Sequence, residues 1–211
     1  METEGMNNPI LNNPILNNPV LNNPVRRVSS REIHSGRLVR LREDSVVLPR
    51  GTETIYEYVE IKNGASTLAI EDNGSVWLVR EWKYAIDRPS LEVVSGGIEP
   101  GESPLEAAHR ELREEIGLAA REFIPMGHVD PFTTMLRCPN HLFIARGLTI
   151  VDPDPEEAEV MEIVRVPLEE AARLVMTGGI THGTSCVLIL KALEWMKSAA
   201  VRDDKEYGNT R

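Results

Sequence analysis

Cysteine is scarce in this sequence. Cys138 and Cys186 are the only two among 211 residues, and neither belongs to a Cys-x-x-Cys pair or a cluster with histidine. This count gives no support to a disulfide framework or a zinc centre, and it suits a reducing compartment. Apolar runs long enough to cross a membrane are missing, as are the basic segment and apolar stretch of a signal peptide. We therefore expect a cytoplasmic protein without a membrane partner.

Positive charge is also in short supply. Lysine and arginine total 23 against 33 aspartate and glutamate residues, which gives a formal net charge of −10. This balance argues against a general nucleic-acid binder. It leaves phosphate ligands open, because a bound metal ion reverses the local sign of the charge. The length suits one main domain with a small accessory piece, and it is enough to bury a hydrophobic core.

A five-residue repeat occupies the start of the chain. Residues 7–25 read NNPIL, NNPIL, NNPVL, NNPV. A proline in every unit prevents a helix and removes a hydrogen-bond donor from any strand ladder. Four units are too few to bury a solenoid core. We expect residues 1–25 to form a disordered tail, with a docking arm as the alternative.

The most informative stretch is Gly96–Leu118, GGIEPGESPLEAAHRELREEIGL. Its glycines permit a sharply bent loop with room for a ligand. Ser103 and Pro104 then predict the start of a helix, and Glu106 completes a capping box. Gly117 predicts the end of that helix.

Three carboxylates of this helix, Glu111, Glu114 and Glu115, are spaced to lie on adjoining parts of one face. Such carboxylates repel each other unless a cation lies among them, and hard oxygen ligands suit Mg²⁺ or Mn²⁺. A glycine-rich loop leading into a helix also suits an anionic ligand. The pattern therefore indicates a phosphate site that works through a metal ion. A solvated charged helix is the alternative.

The spacing resembles the Nudix hydrolase box, G-x5-E-x7-R-E-U-x-E-E-x-G-U, where U is a bulky aliphatic residue. Every fixed position is filled, by Gly96, Glu102, Arg110, Glu111, Leu112, Glu114, Glu115, Gly117 and Leu118. So long a motif is far more specific than a short glycine pattern. The resemblance implies hydrolysis of the pyrophosphate in a nucleoside diphosphate linked to another group X. For Glu102 and Arg110 we favour a salt bridge that holds the loop to the helix over a role in the chemistry.

Strand patterns flank this box on both sides. Three strands are predicted within residues 32–61, and an Asp-Asn-Gly hairpin at residues 72–74 joins two more. SLEVV leads into the box, and FIPMGHV, HLFIARGL and MEIVRVP follow it. Helices are predicted from Pro167 to Gly178 and from about Thr184 to Ala199. The order predicts an α/β (α+β) fold, a sandwich with helices on both faces of a mixed sheet. The resemblance implies that this is a Nudix α/β/α sandwich preceded by a small N-terminal antiparallel β-domain. The predicted bounds are 1–25 for the tail, 26–62 for the β-domain, 63–200 for the Nudix domain and 201–211 for a flexible C-terminus.

Sequences beyond the box are similar to the ADP-ribose pyrophosphatase branch of Nudix proteins. GRLVRLREDSVVLPRG at Gly36–Gly51, LEVVSGG, HLFIARGL and VRVPLEEA carry this resemblance. It implies a homodimer that converts ADP-ribose to AMP and ribose 5-phosphate. Hydrolysis of another X, as in GDP-mannose or a dinucleotide, and a ligand-sensing Nudix module without turnover are the alternatives.

The resemblance also assigns roles to residues. Glu111 and Glu115 match the branch's metal ligands, Glu114 supports them, and the backbone carbonyl of Ser95 matches the non-carboxylate ligand. The branch places its catalytic glutamate in the loop before MEIVRVP, where this chain reads DPDPEEAE at residues 152–159. Of its glutamates, Glu159 is the first candidate for the base, Glu157 the second and Glu156 the third.

Substrate contacts are predicted nearby. Arg80, Trp82 and Lys83 are candidates to hold phosphate and stack a base, although Trp82 also suits a core position. Glu92 suits either a substrate contact or a sheet edge. Two departures bear on the group X. The branch usually has Gln-aromatic-Arg where this chain has Glu-Trp-Lys at residues 81–83, and lysine cannot make a bidentate contact. It commonly has Ser-Pro-Gly where this chain has the loop around Pro131, which would contact the far half of the substrate.

Overall fold

The computed structural model describes residues 23–152 and 161–207, with side chains described up to residue 198. It divides into two compact units, with the boundary between Val59 and Glu60. The acidic loop with its three candidate bases, residues 153–160, and most of the Asn-Pro repeat lie outside the described residues. None of the helices in the described part is long and apolar enough to cross a membrane.

The first unit is built from three neighbouring strands in the order β1-β2-β3. Their bounds are Arg26–Ser35 for β1, Val39–Val47 for β2 and Glu53–Ile61 for β3. The division into strands predicted from the sequence was wrong here. The two stretches read as separate first strands form one strand, β2, and the true first strand begins upstream at Arg26. β1 was missed because all ten of its residues are exposed, so its sequence shows no apolar alternation.

The second unit contains a mixed sheet in the order β11-β5-β4-β10-β8, with β6 paired to β5 and β7 paired to β4. β4 and β10 are parallel, and the other pairs are antiparallel. The strand bounds are β4 Gly64–Ile70, β5 Ser75–Lys83, β6 Arg88–Glu92, β7 Val94–Gly97, β8 Leu118–Val129, β9 Leu136–Arg137, β10 Asn140–Ile150 and β11 Met161–Pro167. A single 3-10 turn, Tyr84–Ile86, separates β5 from β6.

Helices cover both faces of this sheet. α1, Pro104–Ile116, packs Leu112 and Ile116 against one face, in a cluster that includes Ala69 of β4. α2, Leu168–Met176, and α3, Gly183–Tyr207, cover the other face, where Leu68 packs in a cluster with Leu188 of α3. Because successive strand residues point to opposite faces, β4 contributes to both layers. The predicted α/β/α sandwich is confirmed.

Two elements of this unit differ from the prediction. SLEVV is not one strand, since the chain passes from β6, which pairs with β5, to β7, which pairs with β4. α3 continues to Tyr207, beyond the predicted end at Ala199. The sequence has no glycine or proline between Gly183 and Gly208 that would end the helix earlier.

Candidate active site

The helix α1 begins and ends as its sequence predicts. Ser103 Oγ accepts a hydrogen bond from the Glu106 N–H at 3.2 Å, and Glu106 Oε2 accepts one from the Ser103 N–H at 2.8 Å. Gly117 takes the left-handed conformation at φ 62°, and its N–H bonds to the Arg113 carbonyl at 3.0 Å. These local interactions set the start and the direction of the helix that carries the three carboxylates.

Arg110 joins the loop to the helix. Its Nε and Nη2 donate to the two carboxylate oxygens of Glu102 at 2.9 and 3.1 Å, and Nη2 also donates to the Gly97 carbonyl at 2.9 Å. Nη1 donates to Glu111 at 2.7 Å and to Glu114 at 2.8 Å. These anionic partners raise the pKa of Arg110. The predicted salt bridge between Glu102 and Arg110 is present, and the same guanidinium holds two of the candidate metal ligands.

Gly96 makes room for Glu111. A Cβ atom at residue 96 would lie 1.9 Å from Glu111 Oε1 and 2.0 Å from Cδ, a distance that no side chain tolerates. Since the side chain of Glu111 is only 12 % exposed, it has little space into which to retreat. The glycine at the start of the box is therefore needed to seat a carboxylate of the helix against strand β7.

The donor set suits a hard divalent cation. Glu111 and Glu115 are carboxylates one helical turn apart, and Ser95 lies next to Gly96 on β7. No group of three or more His, Cys, Asp or Glu side chains in the described ranges, 23–152 and 161–207, converges as a metal site. Two carboxylates beside a backbone carbonyl match the usual binding of Mg²⁺, which takes one or two carboxylates and completes its shell with water and substrate phosphate. The residues present therefore fit such an ion, and Ser95, Glu111 and Glu115 are those that would hold it.

Lys83 lies on the α1 face of the sheet. In β5, Val79 packs in a cluster with Leu112, and Lys83 follows it at an even spacing that keeps the same face. Lys83 Nζ is bonded to Glu81 Oε2 and lies 4.0 Å from Glu92 Oε2. Burial lowers the pKa of Lys83, but Glu81, Glu92 and Glu115 outweigh it, so the pKa lies above its ordinary value. A charged ammonium group thus stands beside the candidate metal ligands.

Glu92 is buried, at 7 % exposure, and has partners within the protein. Besides Lys83, its Oε2 lies 3.2 Å from His182 Nδ1. His182 could not be selected from the sequence, because its partner comes from a distant part of the chain and no local spacing signals the contact.

The comparisons with known proteins agree with this geometry. Residues 61–182 match the NUDIX domain, and residues 25–59 match the nucleoside diphosphate sugar hydrolase N-terminal domain. The chain belongs to the Nudix family. It is similar to an ADP-ribose pyrophosphatase of Bacillus subtilis (strain 168), with 29% identity over 157 residues covering 70% of this chain and 81% of that protein. An ADP-ribose pyrophosphatase of Mycobacterium tuberculosis (strain ATCC 25618 / H37Rv) is 31% identical over 167 residues, covering 77% and 80%.

A solved structure, the crystal structure of an ADP compounds hydrolase, has the same fold. It superposes with a TM-score of 0.74 at 22% identity and covers 83% of this chain and 95% of its own. The resemblance to the ADP-ribose pyrophosphatase-like branch of Nudix hydrolases, predicted from the box and its flanks, is confirmed by these relatives and by the matched N-terminal domain.

The other predicted substrate contacts of this Nudix hydrolase do not all share one face. Arg80 and Trp82 lie on the face of β5 opposite to Lys83. Arg80 forms a 2.9 Å ion pair with Glu162 on the neighbouring strand β11. Trp82 is 56% exposed, which excludes the alternative of an ordinary core position. The structure brings Lys83 and Glu92 to the Nudix helix, and it leaves Arg80 and Trp82 away from it.

Two loops of the Nudix domain are placed by the register of the sheet. The exposed loop with Pro131 ends where β10 begins at Asn140, which pairs with Gly64, and Gly64 pairs with Gly97 at the start of the box loop. Both loops therefore leave the sheet at the same end of its strands. The acidic segment is followed by β11, whose first residue, Met161, pairs with Glu81 of β5. The start of β11 thus lies next to the strand end that carries Lys83.

Proposed function

We propose that this Nudix hydrolase cleaves the pyrophosphate bond of a nucleoside diphosphate-sugar with the help of Mg²⁺ or Mn²⁺. ADP-ribose is the proposed substrate, and AMP and ribose 5-phosphate are the products. The observation that carries the proposal is the position of Glu111 within a complete Nudix box, where its carboxylate fills the space beside Gly96. This position fixes a carboxylate where a diphosphate and its counterion would meet. The two relatives named ADP-ribose pyrophosphatase support the choice of substrate.

The proposed roles follow from charge and position. Glu111, Glu115 and the Ser95 carbonyl would hold the metal ion, with Glu114 in support. When bound, such an ion neutralises phosphate charge and lowers the pKa of a coordinated water. Lys83 places a positive charge on the same face, where it can hold a phosphate oxygen. Arg80, Trp82, Glu92 and Pro131 remain proposed substrate contacts.

A separate carboxylate is proposed as the general base, because the box glutamates are occupied by the ion and by Arg110. Glu159 is the first candidate, Glu157 the second and Glu156 the third. Single Gln substitutions should lower kcat for the base by roughly 10²–10⁴ with KM little changed, the size of a general-base contribution. Steady-state kinetics of the three variants measures this. If all three keep more than about a tenth of the wild-type kcat, the base lies elsewhere.

The test of the function is a substrate panel with ADP-ribose, GDP-mannose and a dinucleotide, assayed with Mg²⁺, with Mn²⁺ and with EDTA. We expect ADP-ribose to be among the best substrates and EDTA to abolish turnover. Glu115→Gln should reduce kcat by several orders of magnitude, whereas Glu194→Gln, an exposed glutamate on α3, should not. Near-wild-type turnover by Glu115→Gln would contradict the proposed metal-dependent hydrolysis. A hundredfold preference for another compound would change the substrate alone, and no turnover on any compound would favour a ligand-sensing module.

We further propose a cytoplasmic homodimer. The location rests on the two cysteines, Cys138 and Cys186, neither of which forms a disulfide. The dimer rests on the first unit, which exposes many large apolar side chains for its size. They are Val28, Ile33, Leu38, Val39, Leu48, Ile55 and Tyr56.

A further inference from the structure

The short segment between α2 and α3 contacts the strand that leads into the Nudix box. Arg88 Nη2 of β6 donates to Thr181 Oγ1 at 3.0 Å. The Val93 N–H, directly after β6, donates to Ser185 Oγ at 3.0 Å, and Ser185 is fully buried. Glu92 lies between these two points and faces His182. The segment thus contacts β6 at Thr181 and His182, and the first turn of α3 contacts the residue that follows β6.

The hydrogen-bonding capacities of these groups decide the protonation of His182. Its Nδ1 lies 2.8 Å from Ser185 Oγ and 3.2 Å from Glu92 Oε2. A carboxylate only accepts hydrogen bonds, so Nδ1 must carry a proton for the contact with Glu92 to be favourable. Burial lowers the pKa of His182, and the charge of Lys83 lowers it further, while Glu92 opposes them. Burial and Lys83 thus favour the neutral imidazole, and the Glu92 carboxylate favours the tautomer with the proton on Nδ1.

With a neutral His182, Lys83 is the positively charged group that faces the Glu92 carboxylate. The Lys83 ammonium stands 4.0 Å from Glu92 Oε2, an ion-pair distance rather than a hydrogen bond, and it is bonded to Glu81 on its other side. Its position therefore depends on how the Glu92 carboxylate is oriented. His182 Nδ1 lies 3.2 Å from the same Glu92 Oε2, closer than the Lys83 ammonium, and so contributes to the orientation of that carboxylate. Without this contact, Glu92 would be free to turn towards Lys83 and draw the ammonium away from a bound phosphate.

We propose that His182 is a positioning residue that acts through Glu92 on Lys83 and thereby sets the affinity for the diphosphate substrate. The proposal rests on the proposed function for its substrate, but the chain of contacts from α3 to β5 stands on its own geometry. It gives the buried Glu92 of β6 a second way to contribute to binding, through the position of Lys83. It also gives a role to a histidine that lies outside the Nudix box.

Kinetics test the proposal in the full-length enzyme with ADP-ribose. His182→Ala should raise KM roughly tenfold with kcat within about twofold, the effect expected from the loss of one polar contact to a charged group. His182→Asn keeps a side-chain N–H and should recover most of that loss. His128→Ala, an exposed histidine on β8, is the matched control and should leave KM unchanged. A fall in kcat with unchanged KM would overturn the proposal, since it would indicate a distorted box.

A double-mutant cycle separates positioning from general damage. If His182 acts through Lys83, His182→Ala should have little further effect on KM in a Lys83→Met background. Independent effects that multiply would overturn the proposal. Melting temperatures of all variants, measured in parallel, identify any that fail to fold, and His182→Asn then carries the test.

An NMR titration of the His182 imidazole needs no activity. Lys83→Met should raise the pKa of His182, and Glu92→Gln should lower it, because the two charges act on the ring in opposite senses. An unchanged pKa in both variants would show that the chain of contacts is wrong. Absence of turnover on every substrate, with these shifts present, would contradict the proposed function and leave the contacts intact.

Discussion

At the scale of single residues, Gly96 shows how a backbone position controls a charged group. Its missing side chain is the space that Glu111 occupies, so Gly96→Ala must displace either the carboxylate or strand β7. We expect Gly96→Ala to fold and to lose on the order of 10²-fold in kcat, since a displacement of about 1 Å at a reacting site has this effect. The metal concentration for half-maximal activity should rise as well.

Steady-state kinetics over a Mg²⁺ series checks this prediction. Gly183→Ala is the matched control, because a Cβ at residue 183 meets nothing within 4 Å. If kcat and the metal dependence are unchanged in Gly96→Ala, the Glu111 carboxylate can be displaced without loss of activity. Glu111 would then not be a metal ligand whose position matters.

Residues 80–83 show that the packing of a strand decides which of its side chains can reach a site. The sequence groups Arg80, Trp82 and Lys83 as one phosphate and base contact because they are adjacent. In a strand, adjacent residues point to opposite faces, and only Lys83 of these three shares the face of the box helix. The choice of face depends on which neighbours β5 packs against, and that is a tertiary property.

At the scale of elements, the Glu102–Arg110 bridge joins the box loop to α1, and its strength should depend on pH. The hydrogen bonds from Arg110, and then the Glu99 N–H, lower the pKa of Glu102 below its ordinary value of 4.5. A group with a depressed folded-state pKa binds more protons when unfolded, so its contribution is present above that ordinary value and is lost as the pH falls through the folded pKa. Glu102→Gln should therefore lower the melting temperature near neutral pH.

Calorimetry at several pH values measures this effect. The gap in melting temperature between wild type and Glu102→Gln should shrink as the pH falls from about 7 to about 3. Glu169→Gln, which changes an exposed glutamate in the first turn of α2, should show no such trend. A gap that stays constant with pH would mean that the bridge does not stabilise the fold.

The elements also show how far local sequence determines structure. α1 could be predicted from its first residue to its last, because its capping box, its apolar face and its final glycine are all local signals. β1 could not, because an exposed strand rich in serine and arginine is held by its pairing with β2 rather than by burial. The contact between Glu92 and His182 also escaped prediction, since it joins β6 to a segment ninety positions away in the chain. Local patterns therefore account for the Nudix box, whereas the groups around it depend on the packing of distant strands and helices.

At the scale of the whole molecule, the two units differ in how well they bury apolar surface. The second unit holds large clusters of buried side chains on both faces of its sheet. In the described part of the first unit, Val46 is the one large apolar side chain that is buried, at 5% exposure. A groove of about 260 Å³ between its strands is lined in part by Val28, Val46 and Ile55. Because isolated small sheets are marginally stable, this unit is the part of the molecule for which we expect a partner surface.

A second copy of the chain is the partner that we expect, and the oligomeric state tests it. Ile55 is 58% exposed on β3, so Ile55→Glu would place an unpaired charge in an apolar interface. We expect the wild type to sediment as a dimer and Ile55→Glu to shift towards monomer with a lower melting temperature. Ile150→Glu, at a site 81% exposed on β10 in the second unit, is the matched control and should remain a dimer. Analytical ultracentrifugation over a dilution series measures the masses, and a monomeric wild type at the highest concentration would contradict the proposed homodimer.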